Sequence, residues 1–269
     1  MDLIIYNTIP LLWVSTIFYF IAFIYALFQF LKSSNYSKLA FYTLLSTAFI
    51  IQGVALYYRG MIMGSFPLTN TLEIFQFISW STIFLIIIFQ IAFKLPLLSF
   101  FGAGFVSLMS FFSLTFYKLD SYFSHPKLLT NPWIEFHAAL AIFAYAVFGL
   151  LAITSLMYLF QDFGLSHKHF GRFYTLLPSL RQISEISQRI LLIGLVSLSV
   201  AIMIGTLIWF EETSIVSIGK ILSTYGLLIC YLTLYFLKRR KQLKLRTFSW
   251  ISLILFVMAV FSLWPIQYK

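Results

Sequence analysis

Long hydrophobic runs alternate with short polar segments along the whole chain. A helix that spans a membrane needs about 20 mostly apolar residues, and eight runs reach that length. The predicted spans are residues 8–31, 39–58, 72–93, 95–117, 133–160, 189–210, 218–237 and 247–264. The break between the third and fourth spans consists only of Lys94, Leu95 and Pro96, which predicts a tight turn. The pattern therefore predicts an all-α fold, a polytopic membrane helix bundle of about eight transmembrane helices.

The composition excludes a soluble protein of this length. Of the 269 residues, 61% are hydrophobic and 10% are charged, whereas soluble domains are about half apolar and about a quarter charged. Residues 1–269 are therefore interpreted as a single transmembrane domain. The first apolar run lacks a basic leading segment and is long enough to span, so no cleavable signal peptide is expected. Cys230 is the only cysteine, which excludes an intramolecular disulfide and a covalent haem site of the C-x-x-C-H kind.

Positive charge is distributed unevenly between the two sides of the predicted bundle. Eight spans place both termini on one side, and 13 of the 18 Lys and Arg residues fall on the other side. Because Lys and Arg favour the cytoplasmic side, the protein is predicted to cross the cytoplasmic (inner) cell membrane with both termini extracytoplasmic. The basic segment KRRKQLKLR, residues 238–246, is interpreted as a topology anchor in contact with anionic membrane lipid, and no nucleic-acid binding is expected.

His137 is the candidate ligand with the most informative position. It lies about one turn inside the fifth span, and Ala141, Tyr145 and Phe148 follow on the same helix face. A neutral imidazole above small and aromatic residues suits the iron of a flat, apolar macrocycle such as haem. The alternative is an interfacial histidine that hydrogen-bonds a neighbouring helix, and the spacing leaves both interpretations open.

The other three histidines lie in predicted loops. His125 follows the fourth span on the outer side and supplies a second iron ligand only if its loop folds back over the membrane edge. His167 and His169 form an H-x-H pair in a cytoplasmic loop, where a solvated pair is expected. Since no other span contains a histidine, a cytochrome that holds two haems between pairs of transmembrane histidines is excluded.

The segment GSFPLTNTLEIFQFISW, residues 64–80, leads from an outer loop into the third span. Pro67 stiffens the loop, and Thr69 or Asn70 can cap the helix. Glu73 lies in the first turn, where the helix dipole favours a carboxylate. Arg59, at the end of the second span, is the expected charge partner of Glu73.

Two further patterns concern helix packing. Small residues recur at i, i+4 spacing in two spans, which lets helix backbones approach closely in lipid. These residues are Ser99, Ala103 and Ser107 in the fourth span, and Ser197, Ala201 and Gly205 in the sixth. Residues 180–190 alternate apolar and charged positions at helical spacing, which predicts an amphipathic helix lying on the inner surface and bending into the membrane.

In this order, these residues resemble the cytochrome c assembly proteins, the CcsA/ResC/CcmC-type haem handlers. The resemblance covers residues from about 50 to about 240. The family's outer arginine, its G-x-F-P-L-x-N-x-x-E segment and the tryptophan that follows are matched by Arg59, Gly64, Phe66, Pro67, Leu68, Asn70, Glu73 and Trp80. The resemblance implies that this segment is the outer rim of a haem-side scaffold, where Arg59 and Glu73 either bind a haem propionate or tie the loop down.

The resemblance continues in the second half of the chain. The family's outer haem-ligating histidine stands eight residues before a tyrosine, as His137 stands before Tyr145. An L-P-S-L segment and a glycine-spaced span that ends in tryptophan are matched by Leu177, Pro178, Ser179, Leu180, Gly194, Gly205 and Trp209.

The chain departs from the family in its most characteristic loop. Family members carry a tryptophan-rich outer loop, roughly W-G-x-x-W-x-W-D, and present haem over it between two outer histidines. Here Trp209, Glu212 and Lys220 can be placed, but the loop is shorter and lacks a further tryptophan, the aspartate and the second histidine. The chain therefore resembles the reduced HemX-like branch, eight-span relatives associated with tetrapyrrole synthesis.

The resemblance implies a non-enzymatic membrane protein for haem handling or cytochrome c assembly. Its cofactor would be non-covalent haem b at the outer face, and its partner a cytochrome c assembly protein. The alternative is a haem-free, HemX-like membrane regulator or scaffold that acts on a tetrapyrrole-synthesis enzyme through its cytoplasmic basic loops. A small-molecule transporter is less favoured, because no span shows the paired charges or broken helix that mark substrate sites at mid-membrane.

Overall fold

The computed structural model describes residues 2–31, 37–68, 70–93, 96–120, 132–167, 178–211 and 218–263. Within these ranges the chain forms eight α-helices and no strand. The helices are α1 (Asp2–Leu31), α2 (Lys38–Met63), α3 (Thr71–Phe93), α4 (Pro96–Asp120), α5 (Pro132–Ser166), α6 (Leu180–Glu211), α7 (Ile218–Arg239) and α8 (Leu245–Leu263). Each of them contains a segment long and apolar enough to cross a membrane. The predicted all-α, multi-pass membrane fold is confirmed.

Several helix ends coincide with local sequence signals. Ser37 caps α2 through its side chain, which accepts the N–H of the third residue of the helix at 3.4 Å. Gly64 ends α2 with a left-handed φ of 64°, a conformation that glycine adopts without strain. Pro96 and Pro132 open α4 and α5, at the helix position where a missing N–H costs least.

The helices are longer than the predicted spans, because hydropathy detects the apolar middle of a helix and misses its polar ends. The largest difference is at α6, which begins at Leu180 as one continuous helix. Ile183, Ile186 and Ile190 are buried inside the protein. The predicted amphipathic segment is therefore helical and continuous with the rest of α6, and its position relative to the membrane surface stays a prediction.

The eight helices pack as two groups of four. In the first group α1 packs on α2 and α4, and α3 packs on the same two helices. In the second group α5 and α7 both pack on α6, and both also pack on α8. Helix α5 additionally contacts α3 and α4, so it joins the groups, and its residues 144–155 are all buried.

Side-chain contacts identify the helix ends that lie together. Arg59, near the end of α2, contacts Glu73 at the start of α3 and Thr8 near the start of α1. Tyr145, in the first half of α5, lies beside Ser262 at the end of α8. We call this side, which holds the start of α1 and the end of α8, the terminal side.

Candidate functional site

Arg59 and Glu73 form a buried ion pair on the terminal side of the first group. Nε and Nη2 of Arg59 donate to Oε1 of Glu73 at 3.0 and 2.8 Å, and Nη1 donates to Oγ1 of Thr8 at 3.0 Å. The two charged side chains are 4% and 0% exposed. The expected charge pairing is confirmed. Because the guanidinium of Arg59 is bound to residues of α1 and α3 inside the bundle, this geometry ties the three helices together. It presents no charge to a ligand in the loop between α2 and α3.

The start of α3 also has its predicted cap. Oδ1 of Asn70 accepts the backbone N–H of Glu73 at 2.9 Å, which satisfies one of the donors that every helix start leaves unpaired. The cap and the ion pair therefore fix the same residue through its backbone and its side chain.

A hydrogen-bonded polar cluster continues from the ion pair into the membrane interior. Nε2 of Gln52 donates to Oε1 of Gln76 at 2.6 Å, and the hydroxyl of Tyr19 donates to Oε1 of Gln52 at 2.9 Å. Nε2 of Gln76 lies 2.9 Å from Oγ of Ser110 and 2.8 Å from Oγ of Ser113. All five residues are buried, and together they connect α1, α2, α3 and α4.

Sequence analysis missed this cluster because one amide barely changes the hydropathy of a long apolar run. The available signal was the spacing. Gln52 lies seven residues before Arg59, and Gln76 lies three residues after Glu73, so each amide shares a helix face with one member of the ion pair.

His137 makes a hydrogen bond between α5 and α6. Its Nδ1 lies 2.7 Å from the backbone oxygen of Ala201. Because a carbonyl oxygen only accepts, Nδ1 carries the proton, and in the neutral ring the lone pair is on Nε2. The ring lies against Gly205, where a methyl group would come within 2.5 Å of the imidazole Cε1. The small residues of α6 thus make room for His137, as expected if it is an interfacial histidine that hydrogen-bonds a neighbouring helix. The same tautomer, with the proton on Nδ1, is also used by metal-bound histidines.

Protein atoms fill the helix face that continues from His137 toward the membrane centre. The hydroxyl of Tyr145 lies 3.3 Å from Oγ of Ser262. The ring of Phe148 stacks on Tyr231 of α7 with centroids 3.8 Å apart, and its edge packs against Gly194 of α6. The helix face between His137 and the membrane centre is therefore packed with protein side chains.

Four more residues belong to the predicted site. Trp209 is near the end of α6 and Lys220 near the start of α7. His125 and Glu212 lie outside the described residues. In the described part of the chain, no three His, Cys, Asp or Glu side chains are close enough to hold a metal ion.

A groove of about 810 Å³ opens beside α2, α3 and the start of α5. We call it the α2–α3 groove and define it by Gly53, Tyr57, Gly60, Phe77, Trp80 and Glu135, all of which line it. The indole of Trp80 stacks on Phe49 with an interplanar angle of 7°. A methyl group at Gly53 would lie 2.9 Å from Nε1 of Trp80, so this glycine allows the indole to lie against α2.

The polar loop between α2 and α3 forms the rim of the α2–α3 groove. Gly64 and Pro67 line it, and a methyl group at Gly60 would lie 3.3 Å from Cδ of Pro67. Gly60 therefore lets the loop fold back onto α2. The segment 59–80 thus has two sides: its charged pair faces into the helix bundle, whereas its glycines, proline and tryptophan face the groove.

The family model described as Cytochrome C assembly protein matches residues 68–214, more than half of the chain. The chain belongs to the cytochrome c assembly protein family. The matched region contains Glu73, Trp80, His137 and Trp209, whereas Arg59 lies just before it.

Two curated relatives carry the same name. The chain is similar to Protein HemX of Bacillus subtilis (strain 168), with 24% identity over 249 residues that cover 88% of this chain and 84% of the relative. It is also similar to Protein HemX of Brevibacillus brevis, with 29% identity over 197 residues that cover 72% of this chain and 71% of the relative. The resemblance to a HemX-like cytochrome c assembly protein is therefore confirmed.

Proposed function

We propose that this family member is a non-enzymatic haem-handling protein of the cytoplasmic membrane, with His137 as the ligand of non-covalent haem b. The observation that supports this proposal is the hydrogen bond between Nδ1 of His137 and the carbonyl of Ala201. A backbone acceptor at Nδ1 is the usual outer partner of a metal-bound histidine, because it fixes the tautomer and orients the ring. Nε2 of His137 would be the atom that holds the haem iron.

Binding through His137 is expected to be weak and readily reversible. His125 is a second ligand only if its loop folds back over the membrane edge, and no tryptophan follows Trp209 in the next loop. With one strong ligand, the haem should exchange easily and should accept an external ligand such as imidazole.

The test is a haem titration of the purified protein, followed through the Soret band. Wild type should give a saturable shift that His137→Ala abolishes and His125→Ala weakens. The matched control is His167→Ala, because His167 is exposed just beyond the other end of α5 and its removal should leave the titration unchanged. A specific Soret shift that survives His137→Ala would exclude His137 as the ligand.

A second candidate function is favoured by the packing of the same residues. Arg59 is held by Glu73 and Thr8, and protein fills the face beside His137, which suits a haem-free membrane regulator or scaffold. Such a protein would act on a tetrapyrrole-synthesis enzyme through the basic turn between α7 and α8, where Arg240 and Lys241 are exposed. Absence of a Soret shift in wild type, together with salt-sensitive binding of such an enzyme to this turn, would favour the second function.

A further inference from the structure

We propose that the α2–α3 groove is a binding site for a membrane phospholipid with an ammonium head group. In this site Glu135 and the neighbouring aromatic rings receive the ammonium group, and an apolar chain lies along the glycines of α2. The proposal does not depend on haem binding, and it assigns a ligand to a different part of the molecule from His137.

The shape of the groove suits one extended apolar chain. Gly53 and Gly60 are two helical turns apart on α2, a distance of about 10 Å. Phe77 and Trp80 face them from α3. Tyr57, which also lines the groove, is 64% exposed on the outside of the bundle. The groove is therefore open sideways, in the direction from which a lipid chain enters from the bilayer.

The charge of the groove selects the head group. Among the described residues that line the groove, Glu135 is the only charged one, and no ion pair of Glu135 is found among the described residues. Arg59 lies on α2, which forms one wall of the groove, but it is neutralised by Glu73 inside the bundle. Because no described lining residue of the groove is basic, the carboxylate of Glu135 repels anionic ligands such as a haem propionate and attracts an ammonium group.

The aromatic residues add a second attraction for the same group. A cation over the face of a tyrosine or tryptophan is stabilised by the ring quadrupole, most strongly where water is excluded. Tyr57, Phe77 and Trp80 all line the groove together with Glu135. Glu135 lies in the first turn of α5. Because α5 spans the membrane, its first turn is expected at the depth of the lipid head groups. The carboxylate of Glu135, the aromatic rings and their position near the helix ends therefore all favour a phospholipid with an ammonium head group.

The experiment measures which lipid stays bound to the full-length protein. The protein is purified from bilayers with equal amounts of phosphatidylethanolamine and phosphatidylglycerol, and the retained lipids are quantified by native mass spectrometry. Wild type should retain phosphatidylethanolamine over phosphatidylglycerol by roughly 3- to 10-fold. Glu135→Gln should bring the ratio close to one. The matched control is Glu185→Gln, because Glu185 is an exposed carboxylate at the start of α6, paired with Arg181.

A second pair of variants tests the aromatic contribution at residues that are exposed and so tolerate substitution. Tyr57→Leu should lower the preference by roughly threefold. Tyr58→Leu removes a neighbouring exposed tyrosine that does not line the groove, and should leave the preference unchanged. A preference for phosphatidylglycerol, or a wild-type ratio that neither Glu135→Gln nor Tyr57→Leu changes, would overturn the proposal. Because no haem is present in this assay, its outcome is separate from that of the Soret titration.

Discussion

Removing one member of the Arg59–Glu73 pair should destabilise the protein more than replacing both with apolar residues. Glu73→Leu would leave a guanidinium that is 4% exposed and that still donates to the hydroxyl of Thr8. Arg59→Met would leave a carboxylate with 0% exposure. The double variant leaves no buried charge behind and roughly conserves the packed volume.

The structure sets the expected magnitudes. Breaking a buried ion pair by removing one partner costs about 3–5 kcal/mol, because the other charge stays buried and unpaired. The double variant loses the bond to Thr8, about 1 kcal/mol, and the carboxylate at the start of α3, about 0.3–1 kcal/mol. It should therefore be more stable than either single variant by about 2 kcal/mol. By the same reasoning, exchanging the two charges should be tolerated better than reversing either one.

The assay is the thermal unfolding of purified variants, read as the loss of monodisperse protein on heating. The expected 3–5 kcal/mol corresponds to a fall in the midpoint of roughly 6–20 °C, if the unfolding entropy is that of soluble proteins of similar size. Arg181→Met is the control, because the Arg181–Glu185 pair is 90% and 59% exposed and should contribute at most about 1 kcal/mol. If the double variant is as unstable as the sum of the single ones, Arg59 and Glu73 act independently and the reasoning fails.

Three other predictions concern the polar cluster, the α5–α6 contact and the orientation. Gln76→Leu should lower the free energy of unfolding by about 2–3 kcal/mol in the same assay, because it leaves the buried side chain of Gln52 without the side-chain acceptor it now has. A change below about 1 kcal/mol would mean that water replaces the amide of Gln76. Gly205→Val should push the ring of His137 off α6. It should lower both the stability of the protein and any Soret shift that depends on His137. An unchanged titration would show that the contact with α6 does not orient His137. Reporters active only outside the cytoplasm should work at fusion points on the terminal side and fail on the other, and the reverse pattern would overturn the orientation. The active points are Ser65, Lys127 and Glu212, and the silent points are Lys38, His167 and Lys241.

The sequence predicts the helices of this protein well and their contacts poorly. Each span is visible because about 20 apolar residues in a row have no other stable location. The Arg59–Glu73 pair was also predictable, since a buried charge needs a partner of opposite sign and these two residues flank one short loop. The bond from Arg59 to Thr8 was not predictable, because it depends on α1 packing against α2, and in lipid apolar faces of many helices can pack almost equally well.

The candidate ligand shows a different limit of sequence reasoning. Spacing placed Tyr145 and Phe148 on the face of His137, and the structure has them there. Spacing does not say what lies opposite that face, and in the structure Tyr231 and Gly194 fill it. The residues that line a pocket and those of a packed interface follow the same helical periodicity. Only the arrangement of the neighbouring helices distinguishes the two cases.

The segment 59–80 shows why resemblance in a motif does not identify a ligand site by itself. Its residues divide between the two sides of the same turn: Arg59 and Glu73 face into the bundle, whereas Gly64 and Trp80 line the α2–α3 groove. Inward residues stabilise the fold by satisfying buried charge, and groove residues set what can bind there. Substitution of Arg59 or Glu73 should therefore lower the unfolding midpoint, whereas substitution of the groove-lining residues should also change which lipid is bound.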